Sequence, residues 1–259
     1  MSSAAFPTRR RLRAGRAALL LLEAPRALLE ASALLPTWPL LRSAPSGDGH
    51  PVLVLPGYGA DDASTRLLRR YLRDRGYHAH GWRQGRNLGL GADGVAGVPL
   101  RRLAALADRH GRKLSLVGWS LGGVYARELA KLSPALVRQV ITLGSPFGGR
   151  ARGRDIGDWL HEKVFGELAP IAARSRPSPL HAPPPVPSTA IYSRTDGIAH
   201  WRACREPEGP LTDNIEIVGS HFGLGFHPGA LFAIADRLAL PQDGWKPFDR
   251  DGLRGAFFR

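Results

Sequence analysis

Cysteine occurs once, at Cys204, which excludes an intramolecular disulfide. A single thiol fits a reducing compartment, and the expected location is the cytoplasm, with peripheral contact at the inner membrane surface. No Cys/His cluster has zinc spacing, so no metal is expected, and no cofactor either. Long apolar runs are missing as well. The run that opens at Ala17 reaches only Leu22 before Glu23, Pro25 and Arg26 break it. That is too short for a secretory core or for a membrane span of about 20 residues. Internal repeats and nucleic-acid-binding motifs are also absent. The net charge of +14 comes mostly from scattered arginines, and reads as a solvated basic surface rather than a polyanion site.

What is present suffices for one large domain: 259 residues, 43% of them hydrophobic and 22% charged. Residues 1–48 read as a basic N-terminal segment. It opens with Arg9, Arg10, Arg11, Arg13 and Arg16, continues as an interrupted amphipathic helix through Leu19, Leu22, Ala27, Leu29 and Leu35, and ends in a linker from Pro36 to Asp48. Two readings of this segment stay open. Either the helix covers the core or is partly disordered, or it lies on an anionic membrane surface.

From residue 49 the chain alternates. Pro51–Leu55 is a short apolar strand, and Asp61 and Asp62 are expected to open a helix through Leu67, Leu68, Tyr71 and Leu72. A strand is expected over Tyr77–Trp82, a helix over Pro99–His110, a strand over Leu114–Val117 and a helix from Val124. Further strands are expected over Val137–Leu143, Thr189–Ser193 and Ile215–Val218, and a last helix over Pro228–Leu240. Strands alternating with helices imply an α/β fold with a mostly parallel central sheet and helices on both faces. The alternation breaks over residues 150–187, which read as a short lid or cap insertion. Residues 241–259 form a polar and aromatic tail outside the domain of residues 49–240.

Chemistry concentrates at strand ends. Gly118-Trp119-Ser120-Leu121-Gly122 is a G-x-S-x-G motif between a strand and a helix, the context a nucleophile elbow requires. The turn must strain Ser120 so that its Oγ projects, and Gly118 and Gly122 let strand and helix close around it. Asp196 and His221 each follow a later strand. Loops at the C-terminal ends of parallel strands share one edge, so the three side chains can converge. Serine needs a base, imidazole titrates in the right range, and a carboxylate on the far ring nitrogen holds the tautomer. His227, at the entry to the last helix, is a weaker candidate base that caps or packs there. Asp213 precedes a strand at the wrong edge, Asp155 and Asp158 fall in the lid stretch, and His200 reads as a surface or cleft residue. Two backbone donors for an oxyanion are assigned to Leu121 N–H and to Tyr58 N–H in the loop Pro56-Gly57-Tyr58-Gly59.

Together with Thr142-Leu143-Gly144-Ser145-Pro146, Asp196-Gly197 and Gly219-Ser220-His221, these residues resemble the α/β-hydrolase superfamily, of the lipase/esterase-like kind, over about Pro51 to Leu240. The resemblance implies a cofactor-independent serine hydrolase acting on small-molecule or lipid esters. Many relatives carry His-Gly before the oxyanion residue where this chain has Pro56-Gly57; the donor is backbone, so its role survives. An acyltransferase or thioesterase on the same triad is the nearest alternative, and a non-catalytic membrane-associated binding protein the alternative from another class.

Overall fold

The computed structural model describes residues 17–90, 93–148, 179–252 and 254–259. Two helices lead, α1 (Glu23–Ser32) and α2 (Leu34–Arg42), followed by β1 (Pro51–Leu55), α3 (Arg66–Asp74) and β2 (His78–Gly81). Then come α4 (Val98–His110), β3 (Leu114–Trp119), α5 (Leu121–Leu132) and β4 (Val137–Leu143). From residue 179 the chain runs through β5 (Ser188–Tyr192), β6 (Thr212–Glu216), α6 (Pro228–Leu238) and a final turn, α7 (Arg254–Phe257).

The six strands form one parallel sheet in the order β2-β1-β3-β4-β5-β6. The sequence explains its burial. Pro51–Leu55, Leu114–Trp119, Val137–Leu143 and Ser188–Tyr192 are buried at every position, as expected of strands covered on both faces. Alternate residues feed two cores. Val52, Val54, Val117, Ile141 and Ile191 pack with Leu68 and Tyr71 of α3, Leu231 and Ile234 of α6, and Leu41 of α2. Leu53, Leu55, Leu116 and Val140 pack with Leu103 and Leu106 of α4 and Val124 and Leu129 of α5. From β1 the chain moves to β2 on one side, then crosses back to β3 on the other. The order therefore reverses between β1 and β3, whose ends are level because Leu55 pairs with Gly118. A crevice at such a reversal, beyond the strands' C-terminal ends, is where open α/β sheets bind ligands.

Helix ends follow local chemistry. Pro99 sits in the first turn of α4, and Gly111 ends it at φ 59° in the left-handed region. Three expectations change. The stretch from Pro36, read as linker, is helical to Arg42. Pro36 falls in the first turn of α2, where no helical N–H is lost; Pro39 lies inside the helix, whose Leu34 and Leu41 are buried. Asp61 and Asp62 do not open α3, which begins at Arg66. Asp62 instead accepts the N–H groups of Trp82 and Arg83, at 3.0 and 3.1 Å, just past the edge strand β2. The last strand begins at Thr212 rather than Ile215, so Asp213 lies within it. Fully buried Arg127 ties α5 to Glu206 and to the carbonyl of Ala182, fixing the helix behind Ser120 to the returning chain.

Candidate active site

Ser120 joins β3 to α5 at φ 52° and ψ −121°. Among the described residues only Arg83 shares a positive φ without being glycine. That conformation costs a serine about 1–3 kcal/mol, and it persists because the flanks are locked. A Cβ on Gly118 would strike the backbone of Gly123, and one on Gly122 the carbonyls of Leu55 and Pro56. Ser120 N–H donates to Leu143 O at 2.8 Å, which fixes the turn to β4. Leu121 is the first residue of α5, so its amide has no carbonyl one turn back to bond.

The loop after β1 lies against this turn. A Cβ on Gly57 would be 3.2 Å from Ser120 Cβ, so Tyr58 follows a residue in contact with the serine. Asn87 secures the loop: it is fully buried, and its side chain donates to Pro56 O at 2.9 Å while its carbonyl accepts Gly59 N–H at 2.7 Å. Sequence reasoning missed Asn87. Its one signal was an amide side chain inside the Gly-rich loop after β2.

Asp196 and His221 meet. Nδ1 of His221 donates to Asp196 Oδ2 at 2.7 Å, with both residues buried. The other carboxylate oxygen accepts the N–H groups of Ile198 and Ala199 at 2.8 and 2.7 Å. Burial alone would lower the His221 pKa; the charge of Asp196, the hydrogen bond to it and the charge of Glu23 outweigh burial and raise it. The pair adjoins the Ser120 turn on two sides. Trp119 Nε1 donates to His221 O at 3.0 Å. On the other side a Cβ on Gly144, at φ 53°, would lie 2.7 Å from Leu224 Cδ1, 3.1 Å from Asp196 Oδ2 and 3.2 Å from His221 Nδ1, so the pair sits close against the end of β4.

The rival residues are occupied elsewhere. His227 caps α6, its Nδ1 accepting Gly229 N–H at 3.1 Å. Asp213 accepts the Phe248 N–H at 2.7 Å and pairs with Arg250, so it holds the C-terminal tail. His200 caps the short turn Trp201–Cys204 by accepting Arg202 N–H at 3.3 Å. Burial pushes the Cys204 thiol up, away from a reactive thiolate. Asp155, Asp158 and residues 150–178 of the lid stretch lie outside the described residues, as do Arg9 to Arg16. Among the described residues no group of His, Cys, Asp and Glu is placed to hold a metal ion.

Solved structures share the fold over most of the chain. Mature lipase BlEst2 of Bacillus licheniformis superposes with a TM-score of 0.52 at 15% identity, over 74% of this chain and 92% of that one. The monoacylglycerol lipase of Paleococcus ferrophilus gives 0.52 at 14% identity, over 74% and 96%. Aspergillus fumigatus lipase B gives 0.57 at 16% identity, over 76% of this chain and 54% of that one. The chain has the α/β-hydrolase fold. No protein-family model matches the sequence, and no curated protein does. Within the α/β-hydrolase fold, Ser120 directly follows β3, Asp196 lies beyond the end of β5 and His221 beyond the end of β6.

Proposed function

We propose that this protein is a serine hydrolase of carboxylic esters working through an acyl-enzyme. The observation that carries the reading is the buried Asp196–His221 pair, 2.7 Å apart, set against the strained turn that holds Ser120. Ser120 Oγ attacks the ester carbonyl carbon while Nε2 of His221 takes the hydroxyl proton. The carbonyl oxygen becomes an oxyanion facing the N–H groups of Leu121 and Tyr58. The C–O bond to the alcohol breaks as His221 returns the proton to the leaving oxygen, and water repeats the sequence to free the acid. Asp196 holds the imidazole with its Nδ1 protonated and stabilises the cation formed. The lipases that share the fold support an ester substrate. A series of p-nitrophenyl esters of increasing acyl length tests this: turnover of at least one member by the folded protein is expected, and none at any length would overturn it.

The N-terminal segment supports a second part of the reading, peripheral contact with an anionic lipid surface. Helices α1 and α2 leave Leu28, Leu29, Leu35 and Leu40 exposed, next to Leu21 and Leu22. Five arginines precede them within sixteen residues. No helix of the described residues is long and apolar enough to cross a membrane. Each arginine gains about 1 kcal/mol near an anionic leaflet while the leucines enter the headgroup boundary. Deleting residues 1–16 is expected to weaken sedimentation with anionic vesicles at low salt, and added salt to weaken it in the full chain. Equal binding by both proteins would contradict the lipid contact.

A further inference from the structure

Helix α1 turns one charged face to the protein. Positions 23, 26 and 30 follow the i, i+3, i+7 spacing of a single helical face, and Ala27 packs between them. Glu23 is only 1% exposed. Its Oε1 accepts Gly197 N–H at 2.7 Å and its Oε2 accepts Phe222 N–H at 3.0 Å. Gly197 follows Asp196 and Phe222 follows His221, so one carboxylate spans the loops that carry the acid and the base. The residues on the other side of each are held too. Arg26 donates to Thr195 O at 2.7 Å and to Thr195 Oγ1 at 2.9 Å. Glu30 accepts the Ser220 N–H and hydroxyl, both at 2.7 Å. Thr195 in turn donates to Gly219 O at 3.1 Å.

The fit is close. A Cβ on Gly197 would lie 2.6 Å from the Leu19 carbonyl carbon, and one on Gly223 would collide with the Glu30 carboxylate. A helix that merely covered a core would bury apolar side chains, because an inward carboxylate loses its hydration unless donors replace it. Here the donors are the amides flanking two residues distant in sequence.

We propose that Glu23 is a positioning residue for the acid–base pair, setting the Asp196 and His221 loops at a fixed separation, with Arg26 and Glu30 supporting it. This rests on the reading of Asp196 and His221 as catalytic acid and base. Two effects follow. The bridge restrains both loops, and the Glu23 charge acts on the imidazole. From α1 the groups near the pair are Glu23, Arg26 and Glu30; from the loops they are Asp196 and His221; from the turn after Ala199 comes Cys204. Burial raises the Glu23 pKa, although both amide hydrogen bonds oppose it, and the Asp196 charge raises it further. Glu23 and Asp196 both favour the charged imidazole.

The test is Glu23→Gln in the full chain. Glutamine keeps the shape, removes the charge and turns an NH2 toward one of the two amides. The His221 ring, assigned by its loss in His221→Gln, is titrated by NMR, and amide exchange is followed at Gly197 and Phe222. The variant is expected to titrate His221 at lower pH and to exchange one of the two amides roughly 10-fold faster, the worth of a net hydrogen bond. With a soluble ester, kcat should fall about 10- to 100-fold with KM little changed, as for a small displacement of reacting groups. The acid limb of the pH profile should move down with the imidazole. A folded variant with wild-type His221 titration and wild-type exchange at both amides would overturn the proposal. Should Glu23→Gln unfold the protein, Glu30→Gln is read in the same way at the Ser220 amide and in kcat. The NMR readouts do not depend on turnover. A wild-type chain that hydrolyses no ester, while Glu23→Gln still moves His221, would overturn the hydrolase reading and leave the bridge standing.

Discussion

Ser120→Ala is expected to lower ester turnover by roughly 10⁵- to 10⁶-fold, the scale seen when a catalytic serine is removed from an intact triad. The fold should persist. Alanine bears the same strain at φ 52° as serine does, so stability should change by no more than about 1 kcal/mol. Ser120→Gly separates strain from chemistry: it is equally inactive, yet melts higher than the alanine variant because glycine occupies positive φ without a clashing Cβ. Steady-state kinetics with a soluble ester and thermal melts of both variants check this. Retained kcat in purified Ser120→Ala would remove the nucleophile from the scheme.

Asp196→Asn is expected to cost about 10⁴-fold in kcat, the effect of holding the imidazole in the wrong tautomer. The geometry says why the loss is large. One carboxylate oxygen of Asp196 accepts two amides and the other accepts His221 Nδ1–H. Asparagine has one acceptor, so its NH2 must face either those amides or the imidazole. If the amides keep the oxygen, the NH2 meets Nδ1 and the ring proton moves to Nε2, where it blocks proton uptake from Ser120. Asp213→Asn is the matched control. Asp213 holds Phe248 and Arg250 at the tail, so that variant should lose stability and keep near-wild-type kcat. The reverse ranking would mean that the acid has been misassigned.

The strand-turn-helix frame was legible because it rests on local pattern. Pro51–Leu55 is an unbroken apolar run and Val137–Leu143 an apolar and β-branched run interrupted only by Arg138 and Gln139, and the structure ends those strands at the same residues. The placement of Asp196 and His221 past strand ends was legible for a related reason: in a parallel sheet, position just past a strand is position at one edge. The last strand, read as Ile215–Val218, starts earlier, at Thr212, and ends earlier, at Glu216. Thr212-Asp213-Asn214 is polar because β6 is an edge strand facing the tail, which its own sequence does not announce. The role of α1 was not legible at all. Glu23 and Arg26 looked like breaks in a leucine run, while their partners lie 199 and 169 residues away. The charges that spoil an apolar pattern are the ones that grip the two loops, and no spacing rule joins them to Phe222 or Thr195. Asn87 escaped for the same reason, as its carbonyl and amide partners sit in the loop after β1.

The nucleophilic serine is the central claim, and covalent capture tests it most directly. A fluorophosphonate probe reacts with a serine only where a base and an oxyanion site activate it. The full chain is treated with the probe, digested and read by mass spectrometry. The account predicts one adduct on the peptide containing Ser120, absent in Ser120→Ala and suppressed in His221→Ala. A folded protein that takes up no probe, or takes it up at another residue with equal speed in Ser120→Ala, would contradict the account and favour a binding role on this fold.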